Sequence, residues 1–249
     1  MQSFQTKPKP GPGKTAFTLV EMLVVIAIIS ILMTAGSIGL SGMGGKGVTS
    51  GVATAESLFD EARTTAVGKN IRTCVLVAKK LTNNPSEDLR RIVVATEPVS
   101  STTGLPTTAV GAKPAWVISS RGAVLPDQTF FSSQFSKKDH AAGSGDIPSV
   151  TLSGAKATYQ GEYYVYEFNS QGIASDSSDP TYSGGASFVI GSGARNSSKP
   201  ATGANLPKVM ASAKRDFGGF VVWRNGRTSV FRSPEQMGGV SSISSGDTF

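Results

Sequence analysis

The pattern of apolar and polar positions divides the first 70 residues into four segments. Residues 17–40 are largely apolar and carry one charge, Glu21, whereas residues 1–16 are polar. A helix of 24 residues rises about 36 Å at about 1.5 Å per residue, which exceeds the roughly 30 Å of a bilayer's hydrocarbon core. The pattern therefore predicts a transmembrane helix over 17–40.

Glycine dominates the segment that follows the apolar run. Seven glycines fall within residues 36–51, and each glycine in a helix interior costs about 1 kcal/mol relative to alanine. We therefore expect the helix to break over 41–51, and this Gly-rich segment would then act as a hinge.

Helical periodicity returns over residues 52–70. Apolar residues recur there at spacings of three and four, which places them on one face of an amphipathic helix. The stripe consists of Val52, Ala55, Phe59, Ala62 and Ala66.

From residue 71 to residue 232 the pattern indicates a β-rich globular head. Asn225-Gly226 predicts a tight hairpin turn, because both residues accept the positive φ angles of such turns. Polar stretches at 97–114, 132–158 and 192–206 are expected to be mobile loops, and the Ser/Gly-rich tail 233–249 is expected to be flexible. A helix packed on a mainly antiparallel sheet is an α+β fold. The predicted strands are 71–78, 91–96, 115–119, 163–168, 186–190, 220–223 and 227–231.

Composition narrows the range of functions. The formal net charge is +7, of which residues 1–16 supply three lysines and no acid, so residues 17–249 carry 7 − 3 = +4. A mild excess of base does not by itself indicate nucleic-acid binding.

Single copies of cysteine and histidine also limit the chemistry. Cys74 is the one cysteine, which excludes an intrachain disulfide, and its β-like surroundings predict a buried strand residue. The one histidine, His140, is expected on a solvated loop. The sequence has no Walker loop, zinc spacing or dinucleotide fingerprint, so we expect a chain that is not an enzyme and has no cofactor. The acids of 176–179 are read as a solvated turn in preference to a calcium site.

Glu21 points to an assembly mechanism. A charged side chain at the centre of a bilayer costs about 2.5–3.5 kcal/mol on insertion scales, so its retention predicts a neutralising group. Cleavage after Ala16 would give Phe17 a free α-amino group, and in an assembly that amine could neutralise the Glu21 carboxylate of a neighbouring subunit.

The residues at this point resemble the type IV prepilin family. Phe17-Thr18-Leu19-Val20-Glu21 matches the family's leader-peptidase motif, and Ala16 stands where the family usually has glycine. The resemblance implies that a prepilin peptidase removes the leader 1–16 and methylates Phe17. It also implies that Glu21 acts in assembly with other subunits. The chain would then sit in the bacterial inner membrane with its N-terminus cytoplasmic, as the positive leader favours, and its head periplasmic. An ordinary signal peptide and a plain signal anchor are the competing interpretations.

Weaker features resemble the GspH/FimT group of minor pseudopilins and minor pilins. These are the segment Ala62-Arg63-Thr64-Thr65-Ala66, the turn Phe168–Gly172 and the pair Gly226-Arg227. The implied function is a minor pseudopilin of a type II secretion-like machine with a pilin-like fold. Residues 97–158 have the character of an insertion.

Two alternatives remain open. One is a type IV pilus minor pilin that binds DNA, since Arg224, Arg227 and Arg232 are interleaved with aromatic residues. The group's Gly-Arg-x-Arg pattern lacks its second arginine here, because Ser229 occupies that position, and the bases could simply protect an edge hairpin. The other alternative is a lone membrane-anchored binding module.

Overall fold

The computed structural model describes residues 19–41, 43–109, 112–174, 185–210 and 216–231, together with 236 and 248; within 31–46 it describes the backbone alone. The leader 1–16, the acids of 176–179 and almost all of the tail 233–249 lie outside these residues. The chain forms two compact units, 1–42 and 43–249. Helix α1 (Leu19–Ser41) belongs to the first, and helix α2 (Met43–Lys69) begins the second.

Helix α2 is longer than its periodicity predicts. Helix α1 ends at Ser41 and α2 begins at Met43, so the boundary between the helices falls within the predicted 41–51, but residues 43–51 are helical and α2 starts nine residues before Val52. The physical reason is close packing within the second unit. A Cβ at Gly51 would stand 2.8 Å from Ile190 Cδ1, and one at Gly47 would stand 3.1 Å from Thr129 Oγ1. Glycine here allows the helix to approach the strands closely, and buried contacts offset its poor propensity.

The head is built from antiparallel strands. One sheet has the order β3-β2-β1-β9-β8, with β4 also pairing β2; a second has the order β11-β10-β12-β13, with β5 also pairing β10; β6 and β7 form a separate hairpin. The strands are β1 (Thr73–Leu81), β2 (Arg91–Thr96), β3 (Val117–Ile118), β4 (Ala123–Val124), β5 (Thr129–Phe131), β6 (Lys137–Asp139), β7 (Ser144–Asp146), β8 (Ser149–Leu152), β9 (Gly161–Phe168), β10 (Ala186–Ala194), β11 (Lys208–Val209), β12 (Phe217–Val222) and β13 (Thr228–Phe231).

The main core lies between α2 and the strands of both sheets. All five residues of the predicted stripe are buried, which confirms the helical face. Phe59 is at its centre and makes edge-to-face contacts with four other aromatic rings, at centroid distances from 4.9 to 6.3 Å. These rings are Tyr166, Phe168, Phe188 and Phe220.

A second, smaller core lies on the opposite face of the six-stranded sheet. Alternate residues of β1 and β9, including Cys74 and Tyr163, point away from the main core. They are covered by side chains from the segments 114–121 and 150–159. The prediction that Cys74 is a buried strand residue is confirmed.

The polar stretches contain more structure than expected. The stretch 132–158 was predicted to be a loop, but it contains the β6–β7 hairpin and β8, and β8 pairs with β9 at the edge of the large sheet. These strands are short and polar, with little apolar alternation, so periodicity does not reveal them. The end of β10 likewise extends into 192–194.

The hairpin of β12 and β13 is confirmed, but its turn differs from the prediction. Val222 pairs with Thr228, and the Trp223 N–H donates to the Arg227 carbonyl, which leaves a three-residue loop. Only Gly226 has a positive φ, at 75°, within this turn. The geometry is that of a turn followed by a left-handed glycine, a common three-residue hairpin connection.

Candidate functional site

Glu21 lies in the first turn of α1, where its charge is favourably placed against the helix dipole. The side chains around it, from Leu19 to Ser30, are exposed to solvent in the isolated chain. Ala16 and Phe17, the predicted processing residues, lie outside the described residues. Within the described part of the chain, no helix combines the length and the hydropathy needed to span a bilayer.

The three weaker motifs meet at one end of the head. Arg63 on α2 packs beneath the turn at Gly172 and the hairpin turn at Gly226: a Cβ at Gly172 would stand 3.2 Å from Arg63 Cγ, and one at Gly226 would stand 2.8 Å from Arg63 Cδ. The Ala174 N–H also donates to the Arg224 carbonyl at 3.1 Å, which ties the two turns together. Segments far apart in sequence are therefore joined into one structural unit.

This junction explains why glycine occupies both turns. Gly172 has a φ of 72° and Gly226 one of 75°, a region that favours glycine. At Gly226 a Cβ would also collide with the Gly172 carbonyl oxygen. Each motif is visible in the sequence by itself, but the contact between them is not. The structure half-buries Arg63 and covers its Nε.

The predicted basic residues stand on the outside of the same hairpin turn. Arg224 and Arg227 are exposed, whereas Arg232 lies outside the described residues. Trp223 beside them is 37% exposed, and its indole Nε1 donates to Ser229 Oγ at 2.7 Å. Two cations and an aromatic face are therefore presented together to solvent.

His140 differs from its predicted environment. It is partly buried, its backbone N–H donates to the Gly185 carbonyl at 3.0 Å, and its ring meets the Trp223 ring edge to face at 5.1 Å. The histidine therefore packs the end of β6 against the hairpin and is not fully solvated. No sequence signal links these two distant rings.

The most buried acids hold the head together. Asp88 accepts hydrogen bonds from the backbone N–H groups of Leu81 and Ala201, at 2.7 and 2.9 Å, and burial raises the pKa of its carboxyl. Glu97 accepts from the Arg72 backbone N–H at 2.6 Å and from Arg72 Nε at 3.0 Å. Asp88 thus ties the segment at Ala201 to the end of β1, and Glu97 joins the residues that flank the paired ends of β1 and β2. Across the described ranges, no group of three or more His, Cys, Asp or Glu is arranged to hold a metal ion.

Cys74 has the properties of an inert thiol. It lies in β1 with no exposed surface, and burial raises the pKa of its thiol well above the ordinary value, with a further contribution from the Glu167 carboxylate. A protonated, inaccessible thiol is a poor nucleophile.

Comparison with known families gives one match, at the N-terminus. Residues 12–37 match the Prokaryotic N-terminal methylation motif. The matched segment includes Ala16, Phe17 and Glu21, and it ends well before the head. This supports a type IV prepilin-like chain that is processed by prepilin peptidase and assembles with other pilin subunits. No curated protein and no solved structure gives a significant match to the chain.

Proposed function

We propose that the chain is a membrane-anchored minor pseudopilin, a structural and non-enzymatic subunit of a type II secretion-like pseudopilus. The match of residues 12–37 to the N-terminal methylation motif carries this proposal. It is supported by the meeting of Arg63, Gly172 and Gly226 in one junction, because these residues belong to the three segments that resemble the GspH/FimT group.

In this proposal, processing comes first. A prepilin peptidase cuts between Ala16 and Phe17 and methylates the new amine. The apolar segment 17–40 holds the subunit in the inner membrane, with the leader cytoplasmic and the head periplasmic. Burial of apolar helix surface against neighbouring subunits then drives assembly, and the head remains outside the helical bundle.

Glu21 sets the register of that assembly. A carboxylate in a low-dielectric bundle is stabilised by an opposite charge at hydrogen-bond distance, and the Phe17 amine of a neighbouring subunit supplies one. The processed terminus and Glu21 therefore act as two halves of one contact.

Intact-mass measurement of the protein extracted from membranes tests the processing step. The expected mass corresponds to loss of residues 1–16 and gain of one methyl group. A full-length mass would contradict this step. A charged residue in place of Ala16 should block the cut, whereas Ala16→Gly should leave it intact.

Substitution of Glu21 tests assembly separately from processing. Glu21→Ala should still be cut but should fail to enter filaments, measured by cross-linking to neighbouring subunits. Glu21→Asp keeps the charge and is the matched control. Wild-type incorporation of the Glu21→Ala chain would exclude the proposed contact.

The neighbouring genes test a different alternative. Genes for a secretin and an assembly ATPase beside this one would favour an assembly subunit over a lone membrane-anchored binding module.

A type IV pilus minor pilin that binds DNA is the second candidate. The exposed Arg224 and Arg227 beside the half-exposed Trp223 favour it, since bases and aromatic faces together contact backbone phosphates and stack on bases. The full chain should then retard DNA in a gel in a salt-dependent manner, and Arg227→Ala should abolish the shift. A shift that Arg227→Ala leaves unchanged would exclude this site.

A further inference from the structure

A groove on the head belongs to none of the functions described above. It has a volume of about 640 Å³ and lies between the segments 114–121 and 150–159. Its walls include Trp116, Val117 and Leu152, and Val117 is 52% exposed. The volume falls within the range of about 300–1,000 Å³ that is typical of ligand pockets.

The walls come from opposite ends of one sheet. β3 and β8 are the terminal strands of the order β3-β2-β1-β9-β8, yet both line the groove. The sheet therefore brings its two edges toward each other across its outer face. Beneath the groove lies the second core, to which Trp116 and Leu152 belong.

Each edge carries backbone groups for another strand. In an antiparallel pair, alternate residues direct their N–H and C=O groups away from the partner strand, and an open edge is a template for pairing. Among the described residues no strand pairs with the outer edge of β8, and no additional backbone hydrogen bond engages Val150, Thr151 or Leu152. β8 is the longer of the two edges and the better template.

The charges of the groove have one sign. Its lining contains two bases, Arg121 and Lys156, and no acid. Both bases are exposed, and within the described part of the chain neither forms an ion pair or a side-chain hydrogen bond. Arg91, whose guanidinium lies 5.4 Å from the Tyr159 ring, is paired with Glu87 and adds no unpaired charge to the groove.

We propose that this groove binds an extended segment of a partner polypeptide that pairs with the edge of β8. The segment carries alternating apolar side chains, which pack against Trp116 and Val117, and at least one carboxylate, which meets Arg121 or Lys156. Main-chain pairing supplies affinity, and the pockets and charges supply selectivity, as in other cases of strand addition. The inference does not depend on the assembly function of the N-terminal helix.

The probe is a library of random twelve-residue peptides, displayed on phage and selected against the full chain in phosphatidylcholine nanodiscs. The expected result is enrichment of acidic sequences with alternating apolar residues. A synthetic copy of an enriched peptide should bind saturably by fluorescence anisotropy. The double variant Arg121→Glu/Lys156→Glu should weaken binding at least tenfold, and so should Val117→Asp. Alternate N-methylation of the peptide, which removes backbone donors, should also weaken it at least tenfold.

Matched controls are placed outside the groove. Val99→Asp changes a valine that is 45% exposed, and Lys199→Glu reverses an exposed base on another part of the head; both should bind like the wild type. Thermal unfolding of each variant verifies that the head is folded. Enrichment without an acidic bias, equal binding by the groove variants, or indifference to N-methylation would overturn the proposal. Two other occupants of the groove would also overturn the proposal. One is an acyl chain, shown if octanoate binds in the groove and no peptide does. The other is a second copy of this chain, shown if the Val117→Cys variant forms only a cross-linked dimer.

Discussion

The two faces of the six-stranded sheet are covered in different ways. On the inner face, α2 supplies one continuous stripe, and Phe59, 1% exposed, contacts aromatic rings from both sheets. On the outer face, residues from the sheet's own edges fold over Cys74 and Tyr163. The inner cover is a regular element with internal hydrogen bonds, whereas the outer cover consists of short strands and loops that leave a groove.

This difference suggests separate roles for the two faces: the inner face stabilises the head, and the outer face is available to a partner. A helix that buries one face contributes both packing and a satisfied backbone. Edge segments leave backbone groups available to a partner, and their burial is less complete, with Val117 52% exposed. We expect the inner face to dominate the free energy of unfolding and the outer face to open at lower cost.

The largest expected effect is that of Phe59→Ala. Removing a large aromatic side chain from a packed core costs about 3–5 kcal/mol, and this ring makes four edge-to-face contacts that the cavity would lose. Chemical denaturation should show a decrease in the unfolding free energy of that size. Asp60→Ala, one residue along on the exposed side, should change it by less than about 0.5 kcal/mol. Equal effects of the two substitutions would contradict the assignment of the helix face.

The inner face is also the part that the sequence predicts best. The stripe of α2, the bounds of β2 and the hairpin of β12 and β13 follow from local periodicity and turn residues. In each of these cases the side chains that face the core recur within one short segment.

The outer face could not be predicted in the same way. Its cover joins Trp116 and Ile118, from the predicted strand 115–119, with Leu152, which lies in the stretch 132–158 that is predicted to be a loop, and with the neighbouring Tyr159. The edges meet only because the whole sheet brings them together, and neither segment carries a local signal of that meeting. The junction of Arg63 with Gly172 and Gly226 is similar: its members are recognisable in sequence, but their contact is a property of the fold.

Trp116→Ala should have a smaller effect on global unfolding than Phe59→Ala, below the range of about 3–5 kcal/mol, because Trp116 belongs to the smaller second core and borders the groove. Its local effect should be larger. Cys74 lies beneath this cover, so the substitution should speed reaction of the native thiol with a disulfide reagent at least tenfold. Phe59→Ala should speed the reaction of Cys74 only in proportion to the increase in the globally unfolded population. If the Cys74 reaction rate followed the free energy of global unfolding in both variants, the outer face would not open independently of the rest of the head.

Two glycines of α2 test how closely the helix must approach the strands. Gly51→Ala gains about 1 kcal/mol of helix propensity but places a methyl group 2.8 Å from Ile190 Cδ1, and such overpacking costs about 1–3 kcal/mol. We expect a net loss of stability. Gly68, in the same helix, has nothing within 4 Å of its Cβ position. Gly68→Ala should therefore raise the unfolding free energy by up to about 1 kcal/mol. A gain at both positions would mean that close approach is not required at Gly51.

The smallest expected effect comes from the ion pair that joins two central strands. Lys79 Nζ on β1 donates to Glu162 Oε1 on β9 at 2.6 Å, and this contact lowers the pKa of the Glu162 carboxyl. The pair is more than a third exposed, so Glu162→Gln should cost only about 0.2–1 kcal/mol at pH 7.

The pH dependence of that cost identifies its source. Because the folded pKa of Glu162 lies below the ordinary carboxyl value of about 4.3, its contribution is present above that value and is lost as the pH falls through the folded pKa. The difference in unfolding free energy between the wild type and Glu162→Gln should thus be constant from pH 6 to pH 8 and should shrink below about pH 4. A difference that persists at acid pH would assign the cost to the altered hydrogen bond that Ser149 Oγ donates to Glu162 Oε1 at 3.0 Å, and not to the ion pair.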